Sequence, residues 1–410
     1  MQLRIAESSN VRDRITIEHK FIQATLNHIM QDSFAFIIHP LNPKRDVSRK
    51  YPALGKLPAW LIEFLSIFYP PVLVSKIEGV QSTENGRFVQ GWFVACPLTP
   101  NMMLRLPTSL VYRKIVQTGK LAEKLGAQIL GLGAFTSVVG DGGISIAKKL
   151  NIPVTTGDSY TVAQSVHAVR EAAVLLDKPL AESTVAIVGA TGAIGSVCAQ
   201  LLAQDCQKMI LIGRRTEKLH EVATAVRQQG GNEVQVSENM EKIAQAHFII
   251  TVTSAVDAII ETQHLRPGAV VCDVSRPRDV SKQVAEQRPD VLVIEGGMVE
   301  IPGPVNFNFD FGFPQKMAYA CMAETMALAL DKNYVSFTLG KDIKLSQVQT
   351  IDTIAKRHGF KLGGFRSFER AVTSDKIAFV KAAHLSNQNA ISAVPYTYPN
   401  NKISVESVNL

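Results

Sequence analysis

The chain has 410 residues, of which 46% are hydrophobic and 19% charged, and its formal net charge is +7 at pH 7. This length favours two domains over a single core, and the composition is that of an ordinary globular protein. The net positive charge is moderate and the sequence has no block of like charges, so we predict no nucleic-acid partner.

Both ends of the sequence are polar and weakly patterned. We predict an N-terminal extension over 1–33 and a flexible tail over 386–410, which is rich in Asn, Ser and Pro. The N-terminal stretch has no apolar run of the kind found in a signal peptide. The five cysteines form no CxxC pair and no zinc-binding pattern. We therefore expect reduced thiols, a cytoplasmic location and no metal site.

Strand-like and helical stretches alternate over 34–178, and we predict an α/β substrate domain there. The strand-like runs are at 34–40, 88–97 and 129–135, and helical periodicity is found at 109–128 and 158–176.

The most apolar run, residues 57–74, does not predict a membrane span because Glu63, Pro70 and Pro71 interrupt it. A core helix followed by a strand is the favoured interpretation. A contact with a membrane surface is the alternative, so membrane association is expected to be peripheral at most.

A more regular alternation occupies 179–312. Val/Ile-rich runs begin near residues 184, 208, 233, 248, 269 and 291, and amphipathic stretches separate the first four. Continuous apolar strands alternating with amphipathic helices are typical of a parallel sheet covered on both faces. The predicted fold class is thus α/β, with a Rossmann-type doubly wound domain beside the substrate domain.

The segment "VAIVGATGAIGS" (185–196) follows the first of these strands and opens a helix. Its glycines have the spacing GxxGxxG. One allows a sharp turn, one allows backbone approach to a pyrophosphate, and one allows close helix–strand packing. The predicted cofactor-binding residues of this loop are Gly189, Thr191, Gly192, Ala193, Ile194 and Gly195.

The end of the second strand favours NADP over NAD. NAD-binding sites usually place Asp or Glu there, to accept from the ribose 2′-hydroxyl. This strand instead ends in Arg214 and Arg215, which suit a 2′-phosphate. The fourth strand ends in hydroxyl-bearing residues, so we also predict cofactor contacts from Thr253 and Ser254. The predicted cofactor is NADPH.

Residues 313–385 are predicted to form a C-terminal helical segment that completes the substrate domain. Its first part, "PQKMAYACMAETMALAL" (314–330), is nearly all apolar but contains Cys321 and Glu324. Because Pro314 opens this segment, we expect Cys321 about two turns inside a helix. From these residues alone, Cys321 is either inert core or a nucleophile. Glu324 either orients a base or disfavours a thiolate.

Aromatic residues precede this segment. Phe307, Phe309, Phe311 and Phe313 alternate with small or polar residues. The alternation favours a half-buried strand, and the lining of an apolar substrate channel is the second interpretation.

Several short motifs, taken in order, carry a resemblance to one family. They are "RDVSRK" (45–50), "GLGAFTSVV" (131–139), "TTGDSYT" (155–161), "VGATGAIGS" (188–196), "EGGMVE" (295–300), "ACMAETM" (320–326) and "RHGF" (357–360). Their order and spacing resemble the long-chain fatty acyl-ACP reductases of cyanobacteria, which form fatty aldehydes. In this resemblance Cys321 falls where that family carries its acyl-accepting cysteine.

The resemblance implies NADPH-dependent reduction of a fatty acyl thioester to a fatty aldehyde. A Cys321 thiolate would attack the thioester carbonyl, and reduction of the acyl-cysteine would give a hemithioacetal that collapses to the aldehyde. Substrate contacts are then expected from Ser137, Thr156, Ser159, Phe309 and Phe311.

The partners implied are an acyl carrier protein or acyl-CoA as acyl donor, and an aldehyde-consuming enzyme such as an aldehyde-deformylating oxygenase. Carrier proteins are acidic, so docking needs cations. The candidates are Arg105, Arg113, Lys114, Lys120 and Lys124, with a plain solvated face as the alternative. His167 and His358 are expected to be structural, the latter at a helix C-terminus before Gly359.

Two other functions are also compatible with the sequence. One is an NADP-dependent oxidoreductase of the shikimate/quinate dehydrogenase type without a covalent step. It needs a Lys/Asp pair in 34–180, and none is obvious in the sequence. The other is a non-enzymatic NADP-binding scaffold that senses or delivers acyl carriers.

Overall fold

The computed structural model describes residues 32–255 and 257–386. The predicted extension at 1–33 and tail at 386–410 lie almost entirely outside the described residues. The strands are β1 Ser33–Ile38, β2 Val72–Gln81, β3 Phe88–Ala95, β4 Leu130–Leu132, β5 Val154–Thr155, β6 Thr184–Val188, β7 Lys208–Ile212, β8 Glu233–Ser237, β9 Phe248–Thr251, β10 Val270–Asp273, β11 Leu292–Glu295, β12 Met298–Glu300, β13 Met317–Tyr319, β14 Lys361–Leu362, β15 Arg366–Ser367 and β16 Arg370–Ala371.

The helices alternate with these strands along the described chain. They are α1 Pro43–Ser48, α2 Ala59–Phe68, α3 Pro100–Arg105, α4 Thr108–Lys124, α5 Phe135–Val138, α6 Ile144–Ala147, α7 Asp158–Leu175, α8 Ala193–Leu201, α9 Thr216–Gln228, α10 Lys282–Gln287, α11 Ala320–Leu330, α12 Leu345–His358 and α13 Ser374–Ser386. Short 3-10 turns lie at Leu54–Lys56, Leu180–Glu182, Met240–Gln245 and Thr262–His264.

The first sheet has the order β2-β3-β1-β4-β5. Strand β1 is parallel to β3 and β4, and β2 is the antiparallel edge strand. Side chains of a strand point alternately to opposite faces. Phe34 and Phe36 accordingly enter one hydrophobic core, while Ala35 and Ile37 enter a second core on the other face. The centre of this sheet is therefore buried on both faces.

The second sheet has the order β11-β10-β9-β6-β7-β8, and all of its strands are parallel. This is the order of a doubly wound Rossmann domain, so the predicted fold class is confirmed. The chain reverses its direction of travel across the sheet between β6 and β9. Ligands of such sheets bind outside the carboxyl ends of the strands at this switch point.

Helix α11 lies between the two sheets and begins later than the sequence suggested. Residues Met317–Tyr319 pair with Met298–Glu300 as an antiparallel ladder, so the helix starts only at Ala320. The expectation of a cysteine two turns inside the helix is wrong, because the strand takes up the first residues of the apolar run. Cys321 is instead the second residue of the helix.

The phenylalanine-rich stretch is not a strand. Between β12 and β13 the backbone is irregular, and its link to β2 is an isolated bridge between Glu78 and Asn306. The predicted half-buried strand is therefore wrong, because proline and glycine residues in this stretch interrupt the ladder that the alternation of aromatics suggested.

The apolar run at 57–74 forms α2 and then enters β2, as predicted. Its helix is not a core helix, however, because Ile62 is its one buried residue. No helix in the described part of the chain is both long and apolar enough to cross a bilayer.

Candidate active site

A cleft of about 720 Å³ opens between the two sheets. Its floor is formed by residues that directly follow the parallel strands of both sheets: His39, Gly133, Thr156, Val252, Val274 and Gly296. Its volume is that of a typical small-molecule site, and it lies where both sheets present their carboxyl ends.

Cys321 lines this cleft from the first turn of α11. It is half-buried, whereas the other residues of that helix are buried. The backbone N–H of the preceding Ala320 donates to the Gly297 carbonyl over 2.7 Å, which ties the start of the helix to the end of the Rossmann sheet. The thiol therefore sits near the positive end of the helix dipole, at the boundary between the two sheets.

Gly157 packs directly against the cysteine. A Cβ atom at Gly157 would lie 2.3 Å from Cys321 Cα and 2.5 Å from Cys321 Cβ. The residue also has φ +78, which side chains rarely allow. Only glycine fits here, and it brings the N-terminus of α7 against the N-terminus of α11.

Glu324, one turn after the cysteine, is fully buried and anchors the two helices to each other. Its carboxylate accepts from the Thr155 hydroxyl (2.5 Å), the Thr338 hydroxyl (2.9 Å) and the Tyr160 N–H (2.9 Å). Burial raises the pKa of Glu324, while these donors oppose the shift. The carboxylate points away from the cleft, so Glu324 is a structural anchor for the loop that carries Gly157.

Asp158 opens α7 and lines the same cleft as Cys321. Burial, and then the nearby Glu324, raise the pKa of Asp158 to about 7. Burial, and then Asp158, raise the pKa of the Cys321 thiol to about 12. Both shifts favour the protonated form of the group concerned.

The glycine-rich loop after β6 has the three glycine roles that a pyrophosphate site needs. Gly189 has φ +83 and packs on the Val252 carbonyl, and Gly195 packs on the Gly189 carbonyl, so a Cβ at either would clash at 2.3 Å or 2.4 Å. Gly192 is exposed, and an added Cβ there would meet no atom closer than 3.2 Å. Gly189 and Gly195 thus leave no room for a side chain. The backbone at Gly192, at the start of α8, is open to the approach of a ligand.

The two arginines after β7 lie beside this loop. Both Arg214 and Arg215 are exposed, and the Arg215 guanidinium donates to the Thr191 carbonyl over 3.1 Å. Thr191 is half-buried, as are Ala193 and Ile194. A loop with a guanidinium at its side and no carboxylate at the end of β7 fits a ribose 2′-phosphate better than a free 2′-hydroxyl.

Thr253 and Ser254 line the cleft after β9. The Thr253 hydroxyl donates to Asp279 over 2.6 Å, and Asp279 also accepts from the hydroxyls of Thr251 and Ser275 at 2.5 Å. Ser254 is exposed to the cleft. Asp279 is fully buried and holds the hydroxyl-bearing residues at the ends of β9 and β10 in place. The sequence did not reveal this role, because its hydrogen-bond partners lie up to 28 residues away.

Aromatic rings form one wall of the cleft. Phe311 contacts Phe307 and Phe313 at ring distances of 5.0 Å each, and Phe313 contacts Tyr319 at 4.6 Å. Phe309 and Phe311 both line the cleft. The wall is apolar and leads to Tyr319, the residue just before α11.

Arg276 closes the far end of this wall. Its Nε donates to the Tyr319 hydroxyl over 2.7 Å, and its guanidinium lies 4.8 Å from the centre of the Tyr319 ring. Burial opposes the charge, but Tyr319 and Asp273 outweigh it and raise the pKa of Arg276. Nothing in the local sequence marks Arg276 as a cleft residue, since Tyr319 lies 43 residues away.

The predicted substrate residues fall into two groups. Ser137 and Thr156 line the cleft, with the Ser137 hydroxyl donating to the Ala134 carbonyl over 2.6 Å. Ser159 is fully buried, its hydroxyl lies within hydrogen-bond distance of the Thr338 hydroxyl at 2.8 Å, and it does not line the cleft. The prediction that Ser159 contacts the substrate is therefore wrong, because its side chain is buried outside the cleft.

The two histidines lie away from the cleft. His167 on α7 pairs with Asp352 on α12 at 3.0 Å. His358 is buried, contacts the Ser82 hydroxyl at 2.8 Å, and precedes Gly359, which has φ +95 at the end of α12.

The predicted docking cations are mostly exposed. Lys114 is half-buried and donates to the Tyr69 carbonyl, whereas the others are exposed: Arg105, Arg113, Lys120 and Lys124.

A Rossmann-type sheet with a glycine-rich loop at its switch point, facing a second α/β sheet across a cleft, defines a class of two-domain α/β proteins. The shikimate/quinate 5-dehydrogenase family matches residues 171–295, which is the Rossmann part of the chain. The long-chain acyl-[acyl-carrier-protein] reductase of Synechococcus elongatus is 27% identical over 337 residues, covering 78% of this chain and 95% of that protein.

Two further relatives match smaller shares. The aminotransferase PigE of Serratia sp. is 28% identical over 304 residues, or 73% of this chain, and the chain spans 35% of that longer protein. A glutamyl-tRNA reductase of Cyanothece sp. is 26% identical over 179 residues, covering 42% of this chain and 41% of that protein. The resemblance to acyl-ACP reductases is thus confirmed as a distant similarity, and the chain is similar to several oxidoreductases.

Proposed function

We propose that the protein is an NADPH-dependent reductase that converts a fatty acyl thioester to a fatty aldehyde through an acyl group bound to Cys321. The observation that carries the proposal is the position of Cys321. Of the helix residues that line the cleft, Cys321 is the one that is only half-buried, and the helix begins where the Rossmann sheet ends. An inert core cysteine would be fully buried like the rest of this helix.

Asp158 is proposed to accept the thiol proton. Because the pKa of Cys321 is raised to about 12, a free thiolate is scarce at neutral pH, and attack needs a base. Asp158 faces the same cleft, and its raised pKa of about 7 suits both the acceptance and the return of a proton. The sulfur then bonds to the acyl carbon, the bond to the donor thiol breaks, and Asp158 returns the proton to that leaving thiol.

The glycine-rich loop and Arg214 and Arg215 are proposed to hold NADPH. When bound, NADPH supplies the hydride for the acyl carbon. The chain's own contribution is to place Thr253 and Ser254 in the cleft that Cys321 also lines, and to line it with the rings of Phe309 and Phe311 beside the acyl group. Reduction of the acyl-cysteine by one hydride and one proton would give the aldehyde and regenerate the Cys321 thiol. Overall, the donor thioester, NADPH and one proton would become the aldehyde, the free donor thiol and NADP⁺.

The acyl donor is proposed to be an acyl carrier protein or acyl-CoA. The similarity to the acyl-ACP reductase supports a carrier protein, and the exposed cations of α4 supply charge for an acidic partner. The product class further suggests an aldehyde-consuming enzyme as the next in sequence, because a free aldehyde is reactive and apolar.

The test is intact-mass spectrometry of the full chain with palmitoyl-ACP and without reductant. We expect one acyl adduct, mapped by peptide analysis to Cys321, and its release as aldehyde on addition of NADPH but far more slowly with NADH. Cys321→Ala should form no adduct. Cys206→Ala removes a buried cysteine and is the matched control, which should be acylated normally. An undiminished rate of aldehyde formation by Cys321→Ala would sink the proposal.

A second candidate is a reduction without a covalent step, because the dehydrogenase family matches the Rossmann part. The same experiment separates the two, since that reaction leaves no acyl adduct and tolerates Cys321→Ala.

A further inference from the structure

Helix α2 shows an aromatic stripe to the outside of the molecule. Trp60, Phe64 and Phe68 recur every four residues and so lie on one face of the helix. Their exposed fractions are 68%, 54% and 71%, and Leu65 beside them is 44% exposed. The rings of Phe64 and Phe68 pack edge to face against each other at 5.5 Å. Exposed aromatic residues in such a row are unusual for a free surface.

The stripe is poor in hydrogen-bonding groups. Helix α2 carries two polar side chains within its ten residues, Glu63 and Ser66. Glu63 accepts from the Thr99 hydroxyl over 3.1 Å, and the Ser66 hydroxyl donates to the Ile62 carbonyl over 2.8 Å. Both are thus satisfied within the protein. A protein–protein interface usually forms about one hydrogen bond per 100–200 Å², whereas the side chains of the stripe offer only the Trp60 indole N–H.

The segment before the stripe is basic. Between residues 43 and 69 there are five cations against two acids, Asp46 and Glu63, and all five cations are exposed. They are Lys44, Arg45, Arg49, Lys50 and Lys56. Asp46 is half-buried and accepts from the N–H groups of Leu41 and Asn42 at 2.8 Å each. The outward charge of this segment is therefore positive.

We propose that α2, together with the basic segment 43–56, binds the surface of an anionic lipid bilayer. An apolar aromatic face beside exposed Lys and Arg matches the acyl–headgroup boundary, where aromatic rings insert and cations meet lipid phosphates. The helix has ten residues and is thus about 15 Å long, half of the hydrocarbon thickness of a bilayer, so it lies in the interface and does not cross it.

The same helix also forms part of the cleft. Leu57, Ile62, Leu65 and Phe68 line the cleft, whereas Trp60 and Phe64 do not. The mouth of the apolar cleft would thus meet the bilayer, and on the proposed function an apolar aldehyde could leave without crossing water. The binding itself does not depend on that reaction.

The experiment is sedimentation of the full chain with vesicles, without thioester or NADPH. We expect binding to equimolar phosphatidylglycerol and phosphatidylcholine that is about tenfold or more tighter than to phosphatidylcholine alone, and that weakens with salt. Trp60→Ser/Phe64→Ser should weaken binding by about tenfold or more. Val174→Ser/Val335→Ser removes two apolar side chains of similar exposure, 69% and 51%, and should bind as wild type.

A second measurement needs no change to the stripe. In a Trp92→Phe background Trp60 is the single tryptophan, and its emission should shift to the blue on adding anionic vesicles. The proposal is overturned if wild type does not bind anionic vesicles, or if Trp60→Ser/Phe64→Ser binds undiminished. It is also overturned if the stripe instead mediates a dimer that this variant abolishes while no vesicle binding is seen. None of these outcomes bears on the Cys321 adduct.

Discussion

At the scale of single residues, the cleft combines a thiol that resists ionisation with a carboxyl group that ionises near neutrality. The position of Cys321 at the start of α11 supplies a favourable dipole, but burial and Asp158 outweigh it. A carboxylate and a thiolate would repel each other, so the two groups hold one proton between them more easily than none. The proposed base and the proposed nucleophile are therefore expected to titrate as a pair.

This pairing predicts a particular pH dependence for acylation. Asp158 accepts a proton only when it is ionised, and its pKa is raised to about 7. The adduct rate should rise with pH through about 7 and then level off. In Asp158→Asn the inflection near pH 7 should be lost, because the rate then follows the small thiolate fraction and keeps rising to pH 9. The rate at pH 8 should fall by about 10²–10⁴-fold. The measurement is the initial rate of Cys321 acylation from pH 5.5 to 9.

The control for that prediction is Asp342→Asn, because Asp342 is an exposed carboxylate outside the cleft. It should keep the wild-type pH profile. A wild-type profile in Asp158→Asn would rule out Asp158 as the proton acceptor.

At the scale of elements, two helix N-termini meet at Gly157 and Cys321. We predict that Gly157→Ala destabilises the protein by about 2–4 kcal/mol, because the methyl group meets the Cys321 backbone and the positive φ is unfavourable. Acylation of the folded fraction should fall at least tenfold, since the cysteine is displaced. Urea denaturation and the adduct assay measure the two effects.

Gly126→Ala is the matched control. Gly126 has φ +89 but no atom within 4 Å of an added Cβ, so only the backbone penalty of about 1 kcal/mol applies. Its acylation rate should be that of wild type. Equal losses in both variants would mean that the contact with Cys321 has no consequence.

Some of these elements could be predicted from the sequence alone, and others could not. The strands of the Rossmann domain were predictable because five of the six are local apolar runs, β8 being the exception, and the glycine spacing predicted the loop after β6. The start of α11 was not, because it is decided by the pairing of Met317–Tyr319 with Met298–Glu300, which no local pattern announces. Likewise Glu324 and Thr155 lie 169 residues apart, so only the fold shows that this carboxylate is an anchor.

At the scale of the whole molecule, one hydrophobic core runs through both sheets. Phe36 of the first sheet, Ile187 of the Rossmann sheet and Met326 of α11 belong to the same buried cluster. The predicted boundary near residue 178 therefore lies within a shared core, which α7 and α11 occupy together.

A shared core predicts cooperative unfolding. Calorimetry should give a single thermal transition with equal calorimetric and van't Hoff enthalpies, because neither sheet can unfold without exposing the core of the other. Two separated transitions, one of which alone responds to NADPH, would contradict this expectation.

The backbone ladder before α11 limits how far the start of that helix can move when related sequences diverge. The start of that helix is held by main-chain atoms, through β13 on β12 and through the Ala320 N–H on the Gly297 carbonyl. Mutation replaces side chains but leaves these atoms in place. Substitutions can thus reshape the walls of the cleft for other ligands over evolutionary time, while the spacing between the Cys321 sulfur and the end of the Rossmann sheet is inherited unchanged.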